Sequence, residues 1–299
     1  MSIETAAQEL AELIKQIKAD YIEVHLEESQ TSHIAYRGRE LDSIGRSKAI
    51  GGNVRAMVKG GWGFVSFNDF DGLRSRLEMA VRQARLVGTE ASQLAPAEPV
   101  VDKVPSGVER EPVTIPLAEK KRVLDEYNEI IWRVPEIQTS TIGYGDSHQK
   151  TIFINSLGSY IEQERADIAL RLNAVATEGN EVQQAGLSVG SRGDFSLIKG
   201  LHQEVELMAQ HAVELLSAPQ VKGGEYTVVL DPVLAGVFVH EAFGHLSESD
   251  FVYENERLRQ IMVLGKKFGN KGLNIVDGAA VPNLRGSYKY DDEGVPATK

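Results

Sequence analysis

The sequence of 299 residues contains no cysteine. This absence excludes a disulfide framework, a thiolate ligand for a metal and a cysteine nucleophile within these residues. The sequence also has no stretch that approaches the ~18 consecutive apolar residues of a membrane-spanning helix, and its first residues lack the basic flank and apolar segment of a signal peptide. We therefore expect a cytoplasmic protein without a membrane partner.

Positive charge is scarce relative to negative charge. The sequence has 32 Lys and Arg residues against 43 Asp and Glu residues, which gives a formal net charge of −11. A negative protein is repelled by phosphate backbones, and no run of basic residues offsets this charge. A nucleic acid partner is therefore not expected.

The first 105 residues are predicted to form a helix, several antiparallel strands and a second helix. An apolar stripe with helical spacing runs through residues 4–18, and strict alternation follows in residues 21–28. Further strands are predicted over 31–37, 51–59 and 62–68, and a helix over 70–87. Five of the ten prolines gather in residues 88–116, which predicts an extended connector.

The same order of elements returns in residues 106–222. A helix is predicted over 117–133, four strands between 136 and 190, and a helix over 195–216. We interpret the two parts as successive helix–antiparallel-strands–helix units of the α+β class.

Residues 223–299 are predicted to begin a third, β-rich domain. Strands are expected over 226–230, 273–276 and 288–290, and Asp231-Pro232 is typical of the start of a helix. A sheet that ended at Lys299 would leave an unpaired strand edge, so we expect this domain to be incomplete and the chain to be truncated.

The predicted helix of this domain carries the run His240-Glu241-Ala242-Phe243-Gly244-His245. Neutral imidazoles are good zinc ligands, and a carboxylate beside a metal-activated water can accept its proton. The pattern therefore predicts a hydrolytic metal site with His240 and His245 as ligands and Glu241 as the general base. The alternative is a buried helix that contains two histidines by chance.

The spacing of the two histidines makes a geometric prediction. Residues five apart are separated by about 140° around a regular α-helix, so both rings can face one metal only if the helix has a π-type bulge or a break. Gly244, directly before the second histidine, makes such a distortion inexpensive.

Two acidic residues, Glu248 and Asp250, follow the second histidine. They could cap the broken helix, or they could hydrogen-bond to the ligand imidazoles and orient them. The sequence leaves both roles open.

Other polar residues in the sequence are not predicted to form a catalytic or metal-binding site. His25 has no partner at ligand spacing, and residues 145–147 are predicted to form a turn rather than part of a catalytic triad. The polar residues between 171 and 184 are interpreted as a solvated face, with a polar groove as the alternative.

The run 240–245, after a strand and Asp-Pro and before Glu248 and Asp250, resembles the signature of the TldD/PmbA (TldE) family of zinc metallopeptidases, in its TldD-like branch. The run Tyr288-Lys-Tyr-Asp-Asp-Glu-Gly294 is also similar to the C-terminal domain of that family. The resemblance implies small or unfolded peptides as substrates. It also implies a homodimer, or a heterodimer with a paralogue that lacks the motif.

The resemblance further implies a zinc ion whose third ligand is a cysteine near the far C-terminus of a longer chain. These 299 residues contain no such cysteine. We therefore expect them to bind zinc weakly and to be inactive by themselves.

Two rival functions stay open at this point. The chain could be a non-catalytic partner or scaffold subunit of a peptidase complex. It could also be a metal hydrolase that acts on an amide outside peptides.

Overall fold

A computed structural model describes residues 1–281 and 284–298. The chain forms two compact units, one made of residues 1–218 with 281 and 284–297, and the other of residues 219–280 with 298. No helix in the described parts of the chain combines the length and the apolar character needed to cross a membrane.

The first unit contains four α-helices and seven β-strands in the order α1, β1–β3, α2, β4, α3, β5–β7, α4. The helices are α1 (Ile3–Ile14), α2 (Leu73–Val87), α3 (Leu117–Ile131) and α4 (His202–Glu214). The strands are β1 (Tyr21–Arg37), β2 (Glu40–Val58), β3 (Gly61–Phe67), β4 (Val101–Val104), β5 (Ile137–Asn155), β6 (Tyr160–Glu178) and β7 (Glu181–Ser191).

All seven strands belong to one sheet with the order β3-β2-β1-β5-β6-β4, and β7 also pairs with β6. Neighbouring strands are antiparallel, except that β4 runs parallel to β6. Strands β1 and β5 pair from Glu23↔Asn155 to Arg37↔Thr141, so the two predicted units share a sheet. The α+β class is confirmed, and the domain division at residues 105 and 222 stays a proposal.

The predicted strands 21–28 and 31–37 are one strand, and β2 begins eleven residues before the predicted residue 51. These differences have one cause. Residues 29–30 and 40–50 are largely polar or small, so hydrophobic alternation does not mark them as strand. Backbone pairing with β1 and its neighbours nevertheless satisfies their N–H and C=O groups, and this pairing extends the strands.

Each half of the sheet is covered on one face by its own helices. Even-numbered residues of β1 such as Val24 pack with Leu10 of α1 and Leu77 of α2 in one hydrophobic cluster. Ile34, farther along the same strand, belongs to a second cluster with α3 and α4. The odd-numbered residues of β1 lie on the opposite face of the sheet.

A buried ion pair joins α3 to the sheet. Lys120 is fully buried and donates hydrogen bonds to Asp146 of β5 and, at 3.0 Å, to Ser32 of β1. The hydroxyl of Tyr144 donates to the same Asp146 carboxylate. The turn predicted at residues 145–147 is therefore wrong, because the ion pair and the hydroxyl allow this carboxylate to be buried within a strand.

The approach of α2 to β3 depends on Gly63. A Cβ atom at this position would lie 1.9 Å from the carbonyl oxygen of Ala80 and 2.7 Å from the backbone nitrogen of Ala84, both in α2. We expect Gly63→Ala to lower the free energy of unfolding by about 1–3 kcal/mol, because the helix must shift away from the sheet. Urea unfolding followed by circular dichroism measures this loss.

Gly143→Ala is the matched control. A Cβ atom at Gly143 meets nothing within 4 Å, and this glycine also lies in a strand of the sheet. We expect its unfolding midpoint to stay at or slightly above that of the unmodified protein. Equal midpoints for the two alanine variants would contradict the close-contact explanation.

Residues 284–297 lie against the sheet of the first unit. Lys289 and Tyr290 each donate to the carboxylate of Asp102 at 2.6 Å. These hydrogen bonds, with that from Lys289 the larger influence, lower the pKa of Asp102 to about 2. Tyr290 also exchanges two hydrogen bonds with the side chain of Gln163, at 3.3 and 3.4 Å. This segment is thereby attached to β4 and β6.

The second unit contains three short α-helices: α5 (Pro232–Val239), α6 (Ser249–Glu254) and α7 (Glu256–Ile261). The strands predicted over 226–230 and 273–276 are not formed, and Tyr290 makes only an isolated bridge to Pro296 in place of the strand at 288–290. A strand requires a hydrogen-bonded neighbour. None of the described residues pairs with the first two segments, and Val229 is 98% exposed.

Candidate metal centre

Helix α5 begins where the sequence predicts a helix start. The carboxylate of Asp231 accepts the backbone N–H of Leu234 at 2.7 Å, which satisfies one of the free donors at the first turn. Pro232 occupies the first helical position, where its missing N–H costs nothing. The cap thus determines where the apolar helix starts, and with it the position of the two histidines relative to the helix start.

The helix changes its geometry at the first histidine. Residues His240–Gly244 form a π-helical turn, and His245–Ser247 continue as a 3₁₀ turn. The backbone N–H of His245 donates to the carbonyl of His240, which is the five-residue hydrogen bond of a π-turn. The predicted distortion of the helix is confirmed.

The π-turn brings the two imidazoles together. The ring centroids of His240 and His245 are 4.3 Å apart, with an angle of 64° between the ring planes. A regular α-helix would place these side chains on nearly opposite sides. The extra residue in the π-turn therefore places both rings on the same side of the helix, as binding to one metal ion would require.

Glu241 completes a cluster of three donor groups. One ring nitrogen of His240, one of His245 and a carboxylate oxygen of Glu241 all lie within 4.8 Å of one another. Imidazole nitrogen and carboxylate oxygen are both common donors to zinc, so the chemistry of this donor set fits a zinc ion. Glu241 could serve there as a ligand or as a base.

Glu248 contacts His245 directly. Its carboxylate lies 2.7 Å from Nδ1 of His245, while the carboxylate of Glu241 lies 3.9 Å from Nε2 of the same ring. If Nδ1 donates its proton to Glu248, Nε2 has a free lone pair on the side of Glu241. Of the two roles that the sequence left open, the geometry favours the orienting role for Glu248.

Asp250 is placed differently. Its carboxylate accepts the backbone N–H of Phe251 at 3.0 Å, in the first turn of α6. Within the described residues, no hydrogen bond or ion pair joins Asp250 to either imidazole. The structure therefore brings together His240, Glu241, His245 and Glu248, and leaves Asp250 at a helix start.

The cluster is open to solvent in this chain. The side chains of His245 and Glu241 are 45% and 65% exposed. Exposed polar groups interact through a high dielectric, so their mutual attraction is weak and contributes little to stability. A ligand for these donors would thus have direct access.

Three family models match the chain in order. They describe PmbA/TldA metallopeptidase domain 1 over residues 22–85, the central domain over 110–218 and the C-terminal domain over 223–299. All three are domains of metallopeptidases, which defines the class of the protein.

Relatives from other organisms carry the same description. A metalloprotease of Synechocystis is 43% identical over all of this chain and 65% of its own length. A metalloprotease of Methanothermobacter thermautotrophicus is 32% identical over 94% of this chain and 62% of its own length. A zinc metalloprotease TldD homolog of Saccharolobus solfataricus is 29% identical over 54% of this chain and 36% of its length. The chain belongs to the TldD/PmbA family of metallopeptidases, and it spans less than two thirds of the length of these relatives.

Solved structures show the same fold. A Bacteroides thetaiotaomicron protein described as a candidate modulator of DNA gyrase superposes with a TM-score of 0.78 at 19% identity, over 98% of this chain and 68% of its own. TldE from Thermococcus kodakarensis superposes with a TM-score of 0.70 at 17% identity, over 97% of this chain and 66% of its own. At these identities the likeness establishes the α+β fold alone.

Proposed function

We propose that this chain carries the zinc-binding helix of a peptidase that cleaves small or unfolded peptides. His240 and His245 hold the zinc ion, and Glu241 is the general base. The observation that carries this proposal is the π-turn, which places both imidazoles and the Glu241 carboxylate within 4.8 Å of one another. A helix without a shared ligand has no need of this rare geometry.

Each residue has a distinct task in the proposed reaction. When bound, zinc would supply Lewis-acid activation of a water molecule and of the peptide carbonyl. Glu241 accepts the proton of the attacking water and passes it to the amine that leaves. Glu248 holds the His245 ring through Nδ1, so that Nε2 stays available as a ligand atom.

A third ligand is part of the proposal. Catalytic zinc sites generally use three protein ligands and one open position. If Glu241 acts as the base, the two histidines are the only ligands proposed in this chain. We propose that a cysteine outside these 299 residues completes the site, in a longer form of the protein.

The proposed active assembly is a homodimer or a heterodimer with a paralogue that lacks the motif. The structural likeness to a TldE protein supports the second arrangement, because that protein superposes over 97% of this chain. The exposure of Glu241 and His245 supports an assembly that covers them. Exclusion of water from the site strengthens the electrostatic interactions on which catalysis depends.

The test is a substrate screen with a longer form of the protein, loaded with zinc. We expect release of new amino termini from unfolded peptides and no release of amine from small non-peptide amides. Substitution of His245 by alanine should remove both the zinc and the activity. If only non-peptide amides are hydrolysed, the proposed substrate class is wrong. If peptides bind without zinc and are not hydrolysed, the chain is better explained as a scaffold subunit.

A further inference from the structure

A groove of about 1020 Å³ lies on the first unit, on the face of the sheet opposite the helices. The odd-numbered residues His25, Glu27 and Ser29 of β1 line its floor. Phe64 of β3 stands on one side, and residues 291–293 stand on another. This strand-face groove is open to solvent along β1 from His25 to Ser29.

The charged side chains that line the groove are mostly negative. Its lining includes four carboxylates, on Glu27, Asp291, Asp292 and Glu293, against one guanidinium, on Arg55. In the described residues, no ion pair within 4.0 Å joins Glu27 or Asp292 to a cation. The groove therefore presents negative charge that its own lining does not neutralise.

Arg55 is already engaged by two carboxylates. It donates to Glu23, which is 1% exposed beneath the groove, and to Glu293 at 3.3 Å. Burial opposes ionisation of Glu23, but hydrogen bonds with His25, Arg55 and Tyr21 outweigh it and hold its pKa below the ordinary value. Glu23 is therefore charged at neutral pH, and the one guanidinium cannot also neutralise Glu27.

Apolar surface lies beside these carboxylates. Phe64 is 55% exposed and Ile50 is 37% exposed, and both line the groove. The ring centroid of His25 lies 5.0 Å from that of Phe153, with an angle of 54° between the ring planes. A bare cation would use only the charge, whereas a peptide with basic side chains can use both kinds of surface.

We propose that the strand-face groove binds an extended peptide segment through its lysine or arginine side chains, with Glu27 and Asp292 as the recognising carboxylates. This inference rests on the proposed peptidase function, because it specifies which peptides the protein prefers. It assigns a role to a region in which the sequence indicated only a strand.

The test is equilibrium binding of two fluorescent hexapeptides to residues 1–299 with Glu241→Gln, a substitution that removes any residual cleavage of the bound peptide. One peptide carries two lysines and the other has glutamine at the same positions. We expect the lysine peptide to bind more tightly. The preference should shrink as salt rises from 50 to 500 mM, because exposed charges are screened.

Substitution of the carboxylates locates the site. Exposed ion pairs contribute up to about 1 kcal/mol, so Glu27→Gln and Asp292→Asn should each weaken lysine-peptide binding by up to about fivefold and leave the glutamine peptide unaffected. Glu28→Gln is the matched control, because Glu28 is adjacent in sequence, pairs with Lys48 at 2.6 Å and does not line the groove. It should leave both affinities unchanged.

The outcomes separate this inference from the function on which it rests. Equal binding of the two peptides, or equal effects of Glu27→Gln and Glu28→Gln, overturns the groove proposal even if the protein hydrolyses peptides. Free spermidine that displaces the peptide at an equal concentration also overturns it, because the site would then recognise charge alone. A lysine preference that depends on Glu27 supports the groove proposal, even if no hydrolysis is found.

Discussion

Glu241→Gln is expected to abolish peptide hydrolysis in an active, zinc-loaded form of the protein while zinc stays bound. Glutamine preserves the shape of the side chain, but its amide cannot accept the proton of the attacking water at neutral pH. Loss of a general base typically lowers a rate by about 10²–10⁴-fold. The measurement is turnover of an unfolded peptide, with zinc content determined on the same sample.

The zinc content decides between the two roles that the geometry allows for Glu241. Its carboxylate lies close enough to both imidazoles to be a ligand. A base can be replaced by glutamine without loss of metal, whereas replacement of a ligand lowers both occupancy and rate. Unchanged turnover with zinc still bound would remove Glu241 from the mechanism.

Glu254→Gln is the matched control for this experiment. Glu254 is an exposed glutamate at the end of α6, in the same unit as the candidate metal centre. The substitution makes the same chemical change and should alter neither turnover nor zinc content. A comparable loss in this variant would indicate a general effect of charge on the unit.

Residues 1–299 alone are expected to hold little or no stoichiometric zinc and to show no appreciable peptidase activity. Two histidines leave a catalytic zinc site one protein ligand short, if Glu241 is reserved as the base. The ligand side chains are also exposed, so water competes directly for the metal. Metal analysis after purification without added zinc measures the first effect, and a peptide-cleavage assay measures the second.

A longer form that supplies a cysteine is the comparison for this prediction. We expect it to bind one zinc per chain and to hydrolyse peptides, and we expect substitution of that cysteine by serine to return both properties to the level of residues 1–299. One tightly held zinc per chain together with turnover by residues 1–299 alone would show that the third ligand is not needed. Glu241 or Glu248 would then be the next candidate for that position.

The distortion of the histidine helix could be predicted because its signals are local. Asp231-Pro232 starts the helix, and the five-residue spacing of His240 and His245 requires a distortion if the rings are to meet. The structure places a π-turn at these residues, with a hydrogen bond from His245 to the carbonyl of His240. Only the contact between the carboxylate of Glu248 and Nδ1 of His245 needed the structure.

Strands were predicted less well, because a strand depends on what lies beside it. The polar residues 40–50 carry no strong alternation, yet they pair with β1 and form the first half of β2. Residues 226–230 are aromatic, β-branched or aliphatic, as is typical of a strand, yet they form no strand, since no described segment pairs with them. The β-propensity of a segment predicts a strand poorly where the hydrogen-bonding partner strand is distant in the sequence.

The sequence by itself determined the α+β class, the helix start at Asp231, the distortion of the histidine helix and the negative charge of the protein. These properties follow from spacing, capping and composition, which act over a few residues. Only the tertiary structure decided that β1 and β5 join the two predicted units in one sheet and that Lys120 neutralises the buried Asp146. It also decided that Glu27 and Asp292 lie in one groove, although 264 residues separate them in the chain. The reason is that these pairings join residues that are distant in the sequence, and the local periodicity of a segment does not indicate which distant segment it contacts.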